Sequence, residues 1–143
     1  MKIEVSAHVA APTSVVWMAV SDVSSWPSWT DSMDRVQLDS MCRIGVESRA
    51  RIKQPGMPEM TWTVTRWDTG TGFAWESRMP GLTTTGTHDI EPDGAGSRLL
   101  LSLEQSGWLA PLIELVSGKR SRRYVQMELD GLTRAAEAMA QAG

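Results

Sequence analysis

Of the 143 residues, His88 is the side chain best suited to acid–base chemistry. Histidine ordinarily titrates near neutrality, so it can take or give a proton in a mechanism. Around it Thr84, Gly86, His88 and Ile90 recur at every second position, which puts them on one face of a strand, with Ile90 marking that face as apolar. On the preceding strand Ser77 shares its parity with Phe73, Trp75 and Met79, and on the following one Gln105 continues the series Leu99, Leu101 and Leu103. If the apolar parity points inward, Ser77, Thr84, His88 and Gln105 are the polar handles of a greasy pocket, as ligand sites tend to be built. The same pattern fits a solid core whose few polar groups are met by backbone or water. A lone strand histidine is usually structural, so His88 is a candidate catalytic residue with no motif behind it.

Other chemistries find less support. His8 and His88 lie far apart and Cys42 is the single cysteine, so no ligand spacing for zinc exists and no metal is expected. Cys42 falls in a connection between strands and has no partner for an internal disulfide. That fits a reducing, cytoplasmic setting. There is no nucleophile elbow and no cofactor motif; Gly94-Ala95-Gly96 reads as a hairpin turn, not a phosphate loop. No cofactor is expected. The one basic cluster is Lys119, Arg120, Arg122 and Arg123. It could bring an anionic headgroup or membrane surface to a pocket mouth, or it is a solvated helix face.

The elements that would position these residues begin with a half-buried strand, in which Ile3, Val5, Ala7 and Val9 alternate with polar residues. His8 then falls on its outer face. Ala11-Pro12-Thr13-Ser14 opens a helix carrying Val16, Val20 and Val23. Ser24 or Ser25 is expected to cap a second short helix with Pro27 in its first turn and Trp26 and Trp29 on it. About six strands follow: Arg35–Leu38, a strand with Val46, Ser48, Ala50 and Ile52 on one side, a strand with Met60, Trp62 and Val64 on one side, Phe73–Met79, Leu82–Glu91, and Ser97–Ser106. Short Gly/Pro turns join them, so the sheet is antiparallel. The inward parity collects Met60, Trp62, Val64, Phe73, Trp75, Leu101 and Leu103, with Ser48 and Met79 on the same side. The opposite parity carries Glu47, Arg49, Arg51, Glu76 and Arg78, expected as pairs on the wet face. With the register inverted, Arg51, Glu76 and Arg78 would line the interior instead.

The chain ends in a long helix-forming stretch, 109–141. Val125, Leu129, Leu132, Ala136 and Met139 make one apolar stripe, which must cover something apolar. Leu112 and Val116 sit nearly opposite it on a straight helix. Either the helix breaks or bends sharply near Ser117 and Gly118, making the first piece a flap, or it runs straight with an apolar collar at its start.

Length and composition bound the answer to one domain, 1–143, of α+β class. A net charge of −3 argues against a general nucleic-acid binder, which needs a basic face. No apolar run approaches the ~20 residues of a membrane span, and no signal-peptide core is present. Seven Trp and nine Met stand against one Phe and one Tyr, a supply suited to an irregular core or an adaptable cavity.

Across nearly its whole length the chain resembles the START-like (SRPBCC) helix-grip superfamily, in its polyketide cyclase/dehydrase and lipid-transport branch. The resemblance rests on Ala11-Pro12-Thr13-Ser14-Val15-Val16-Trp17, Val23-Ser24-Ser25-Trp26-Pro27-Ser28-Trp29, Phe73-Ala74-Trp75-Glu76-Ser77, Gly86-Thr87-His88, and Glu91-Pro92 through Gly96-Ser97-Arg98. It implies a curved antiparallel sheet of about seven strands, ordered β-α-α-β6-α, wrapped around the C-terminal helix with a deep, mostly apolar cavity between them. It implies binding of a small hydrophobic molecule, a lipid or polyketide-like compound, and the inward parity offers Met60, Trp62, Val64, Phe73, Trp75, Ser77, Thr84, His88, Leu101 and Leu103 as the residues to line that site. A polyketide cyclase or dehydratase using the same cavity is a second possibility. A third is a protein-interaction domain with no enclosed space and an exposed apolar patch near Trp108 and Leu109. A monomer or homodimer is expected. One fold hosts many activities, and no catalytic motif carries over.

Overall fold

The computed structural model describes residues 1–39 and 44–142; Cys42 lies outside them. The strands are β1 (Lys2–Val9), β2 (Arg35–Leu38), β3 (Arg49–Lys53), β4 (Met60–Asp68), β5 (Gly72–Met79), β6 (Leu82–Asp93) and β7 (Gly96–Ser106). Helix α1 (Thr13–Ser21) and a 3-10 helix (Val23–Ser28) follow β1, and α2 (Ala110–Ala142) closes the chain. The strands form one antiparallel sheet in the order β1-β7-β6-β5-β4-β3-β2. Only β1 crosses over, its partner β7 coming last in the meander, because α1 and the 3-10 helix carry the chain to the far edge. This is the α+β class that the strand and turn pattern anticipated and the helix-grip arrangement that the resemblance implied.

The sheet's register sets the site. One row runs Phe73–His88–Leu101–Val5 across four strands, the next Val64–Trp75–Gly86–Leu103–Ile3, and beyond it Ser77–Thr84–Gln105. On β6 the alternation is strict: Leu82, Thr84, Gly86, His88 and Ile90 are buried and the residues between them are half-buried. The charged parity faces outward, with Arg51 paired to Asp39 at 2.9 Å and Arg78 to Glu76 at 2.8 Å, so the inverted register is ruled out. His8 is on the outer face, 2.9 Å from Asp93.

Four local expectations need correction. The strand expected from Val46 begins at Arg49: Glu47 takes a left-handed φ of 76°, and the Ser48 hydroxyl turns back to accept the Gly45 N–H at 2.9 Å. Met79, at the open end of β5, is 48 % exposed instead of facing α2. The position before the 3-10 helix is Asp22, whose carboxylate accepts the hydroxyls of Ser24 and Ser25; neither serine is the cap. And α2 runs unbroken for 33 residues through Gly118, leaving Leu112 and Val116 as an exposed apolar collar. A backbone glycine costs only about 1 kcal/mol in a helix, too little to end one this long.

The core lies between the inner sheet face, α1, the 3-10 helix and the C-terminal half of α2. Val16, Val20, Val23, Trp26, Phe73, Leu99, Leu129 and Leu132 are essentially inaccessible. Gly131 lets α2 press against the segment after the 3-10 helix; a Cβ there would collide with the Trp29 carbonyl oxygen.

Candidate functional site

His88 projects from the middle of β6 into the space under α2 and is 4 % exposed. Three aromatic rings surround it. Phe73, its cross-strand partner, stacks on the imidazole at 4.5 Å and 12°. Trp75 meets it edge-on at 5.7 Å, and Trp26 reaches across from the 3-10 helix to 5.1 Å. Gly86 makes room for this box: its missing side chain leaves the surface on which the Trp75 indole lies, 3.1 Å from where a Cβ would stand.

From the opposite wall α2 supplies Glu128. Its Oε1 is 2.7 Å from His88 Nε2, with the two side chains 12 % and 5 % exposed. An ionised carboxylate only accepts, so with Glu128 in that form it is Nε2 that donates in this contact. The other nitrogen, Nδ1, is buried and has no hydrogen-bond partner, and the same holds for Gln105 Oε1. Buried polar atoms are rarely left unmet, so these two orphans mark where a ligand group or water would be welcome. Chemically, an imidazole whose N–H is fixed by a carboxylate can accept a proton at Nδ1 while the carboxylate steadies the resulting charge.

The sheet–helix space itself is small. A void of about 40 Å³ lies against Ile52, Trp62, Trp75, His88, Leu101 and Glu128. A neighbouring one of about 90 Å³ lies against Met57, Met60, Thr84, Gln105, Tyr124 and Glu128. Gln54, Leu103, Val125 and Glu128 belong to both walls. Pockets that hold drug-sized ligands measure roughly 300–1,000 Å³, so the deep cavity expected from the resemblance is largely filled, with Trp26, Trp62, Trp75 and Phe73 taking the volume. A roomier depression of about 550 Å³ lies on the outer sheet face, between Lys2, Glu4, Thr87 and Glu104. It is open to solvent and lies on the opposite face of the sheet from the buried pair, between the neighbours Thr87 and Asp89 of His88.

The turn from β3 to β4 roofs the larger void. It is tied to α2 by the Tyr124 hydroxyl, which donates to the Pro55 carbonyl at 2.6 Å, and by Arg120 Nη1, which donates to the Gly56 carbonyl at 3.2 Å. Arg120 is therefore turned toward this roof, apart from the outward cations Lys119, Arg122 and Arg123.

Of the residues expected to line a ligand site, Met60, Trp62, Trp75, Thr84, His88, Leu101 and Leu103 border these voids. Val64, Phe73 and Ser77 are buried beside them without bordering either. Sequence reasoning missed Glu128, Tyr124 and Trp67. Glu128 was findable: it comes three residues after Val125 and four before Leu132, a carboxylate inside an apolar helical stripe. Trp67 was hidden by a bulge between Val64 and Arg66, which returns it to the inner face against Phe73 and Trp17.

Among the described residues no group of His, Cys, Asp and Glu could hold a metal, and no helix is long and apolar enough to cross a membrane.

The family described as polyketide cyclase / dehydrase and lipid transport matches residues 1–137. The chain belongs to that family. Solved structures share the fold at low identity. A hypothetical protein, jhp0584, from Helicobacter pylori is 17 % identical with a TM-score of 0.77, over 94 % of this chain and 86 % of that one. Ara h 8.0201 is 14 % identical with a TM-score of 0.70, over 100 % of this chain and 99 % of that one. The di-domain ARO/CYC BexL from the BE-7585A biosynthetic pathway is 20 % identical with a TM-score of 0.70, over 96 % of this chain; the chain spans 46 % of BexL. No curated protein matches in sequence.

Proposed function

We propose that this protein binds a small, mostly apolar molecule carrying one hydrogen-bonding group in the space between sheet and α2. His88 Nδ1 meets that group, and the apolar side chains that border the voids, Trp62, Trp75, Leu101 and Leu103, hold the apolar body. The observation behind the reading is the unpartnered, buried Nδ1 of a histidine whose Nε2 is already fixed by Glu128. Membership in a family described by cyclase, dehydrase and lipid-transport activities agrees with it. The two voids are too small for a long lipid, so a larger guest enters only if the β3–β4 turn lifts from Tyr124 and Arg120.

Titrating the protein with a panel of small phenols, ketones and short fatty acids tests this. The expected result is a thermal shift and a change in Trp emission for at least one class, both weakened by His88→Leu. A chain that answers to no compound, with an Nδ1 chemical shift that also stays put, sinks the proposal.

An enzymatic reading rests on the 2.7 Å His88–Glu128 contact. A neutral His88 would take a proton at Nδ1 from an acidic C–H or hydroxyl of the substrate and return it later, as a cyclisation or dehydration requires. Glu128→Gln separates the two readings: it should leave binding within a few-fold and lower turnover by roughly a hundredfold or more. Equal turnover in the variant removes the enzymatic role.

A further inference from the structure

The outer side of the N-terminal half of α2 is apolar where a soluble helix should be polar. Leu112 is 54 % exposed, Val116 74 % and Leu115 83 %, and just ahead of them Trp108 is 77 % exposed. Trp108 is not a loose side chain. Its ring lies over Gly81 in the β5–β6 turn, so close that a Cβ on Gly81 would stand 2.6 Å from Cε2, and the Leu109 N–H donates to the Gly81 carbonyl at 2.9 Å. The indole is therefore held outward by the scaffold.

Charge continues the same face. At 100° per residue Leu112, Val116, Lys119 and Arg123 fall within about 60° of one another, with Leu115 and Arg122 flanking them. Lys119, Arg122 and Arg123 are exposed. The carboxylate among them is Glu114, 3.7 Å from Arg122, so the patch is cationic on a protein whose net charge is −3. A shallow open depression of about 510 Å³ between Leu115, Val116, Lys119 and Arg122 joins the apolar and cationic parts.

We propose that this face docks on an anionic lipid surface, with Trp108, Leu112, Leu115 and Val116 entering the interfacial layer and Lys119, Arg122 and Arg123 meeting the headgroups. An exposed tryptophan and aliphatic side chains on one face, with cations one turn further on, are the composition of a helix lying in a membrane interface. Charge complementarity selects this occupant over a second copy. A two-fold dimer sets the patch against itself, and three cations with one already paired carboxylate repel their own image. The proposal is independent of the interior ligand.

Flotation with phosphatidylcholine vesicles, alone or with about one third phosphatidylserine, tests it. The protein should float with the mixed vesicles, detach as salt rises, and bind pure phosphatidylcholine at least about tenfold more weakly. Removing one cation is expected to weaken binding about fivefold, so the triple variant Lys119→Ala, Arg122→Ala, Arg123→Ala should lose roughly a hundredfold. Leu115→Glu with Val116→Glu should abolish flotation, and Arg35→Glu, elsewhere on the surface, should leave it unchanged. All of these side chains are exposed, so unchanged circular dichroism is the folding control. Failure to float with mixed vesicles, equal flotation with both kinds, or a dimer in sedimentation velocity that Leu115→Glu dissolves would each overturn the proposal.

Discussion

The two halves of α2 are one continuous helix with opposite circumstances. From Val125 onward the inner face is clamped: Leu129, Leu132 and Ala136 are sealed against α1 and the inner sheet face, and Gly131 admits the Trp29 carbonyl. From Ala110 to Tyr124 the helix overhangs. Its outer apolar residues meet solvent, and its inner side touches the β3–β4 turn through two hydrogen bonds above the larger void. Glu128 sits at the boundary. Interior close packing thus ends at the buried His88–Glu128 contact, and the helix's own hydrogen bonds run on from the packed half into the loose one.

The comparison can be broken hardest from the packed half. Trp26→Ala removes a fully buried ring that touches Phe73, Trp75 and His88. It should cost about 3–5 kcal/mol in urea unfolding and enlarge the space beside His88. Binding of a small aromatic such as indole to that variant would show the filled cavity to be a matter of one side chain. A loss under about 1 kcal/mol would mean that the packed half is looser than its burial indicates.

At the boundary, Glu128→Leu leaves the His88 Nε2–H without an acceptor and should cost about 2–3 kcal/mol. His88→Leu with Glu128→Leu should cost less than the sum of the single changes, by about 1–3 kcal/mol, because the second substitution removes the group the first one orphaned. Additive losses would show that the pair is not coupled, and the acid–base reading would fall with it.

In the loose half, Tyr124→Phe deletes one latch and should cost about 1 kcal/mol. Its sharper signature is faster amide exchange at Gln54, Gly56 and Met57 with core exchange unaltered. Equal protection would mean that the turn is held by something other than the latch.

What was legible beforehand follows the same division. Alternation in β1, β6 and β7 foretold their inner faces because β1–β7 and β6–β7 pair without interruption, and Thr84, Gly86 and His88 came out as read; β5 followed it as far as Ser77 but not at Met79. The reading slipped wherever period two was interrupted: at Glu47, whose left-handed backbone shortens β3, and after Val64, where the bulge turns Trp67 inward. Two apolar stripes on α2 were visible, and the conflict between them suggested a break. The structure takes the other alternative, a straight helix with an apolar collar, and leaves one stripe exposed. The cavity was overestimated for a related reason. Topology says that a curled sheet and a helix enclose a space, but only the rotamers of Trp26, Trp62 and Trp75 decide how much of it remains.

The smallest expected effect lies outside both halves, on the wet face. Asp93 accepts a hydrogen bond from His8, which, with the nearby Arg98, holds its carboxyl below the ordinary value of 3.8 despite some opposing desolvation. A carboxyl depressed in the folded state contributes stability above its unfolded pKa and loses it as pH falls through the folded one. Asp93→Asn should therefore lose a small, solvent-screened increment of stability above about pH 4, present at neutral pH, and flatten the acid limb of the stability curve below it. Against the His88–Glu128 pair the contrast is one of solvent: similar partners at similar distances, but water screens the outer ones. Loss of stability at neutral pH in Asp93→Asn as large as in Glu128→Leu would mean that burial is not what makes the inner pair matter.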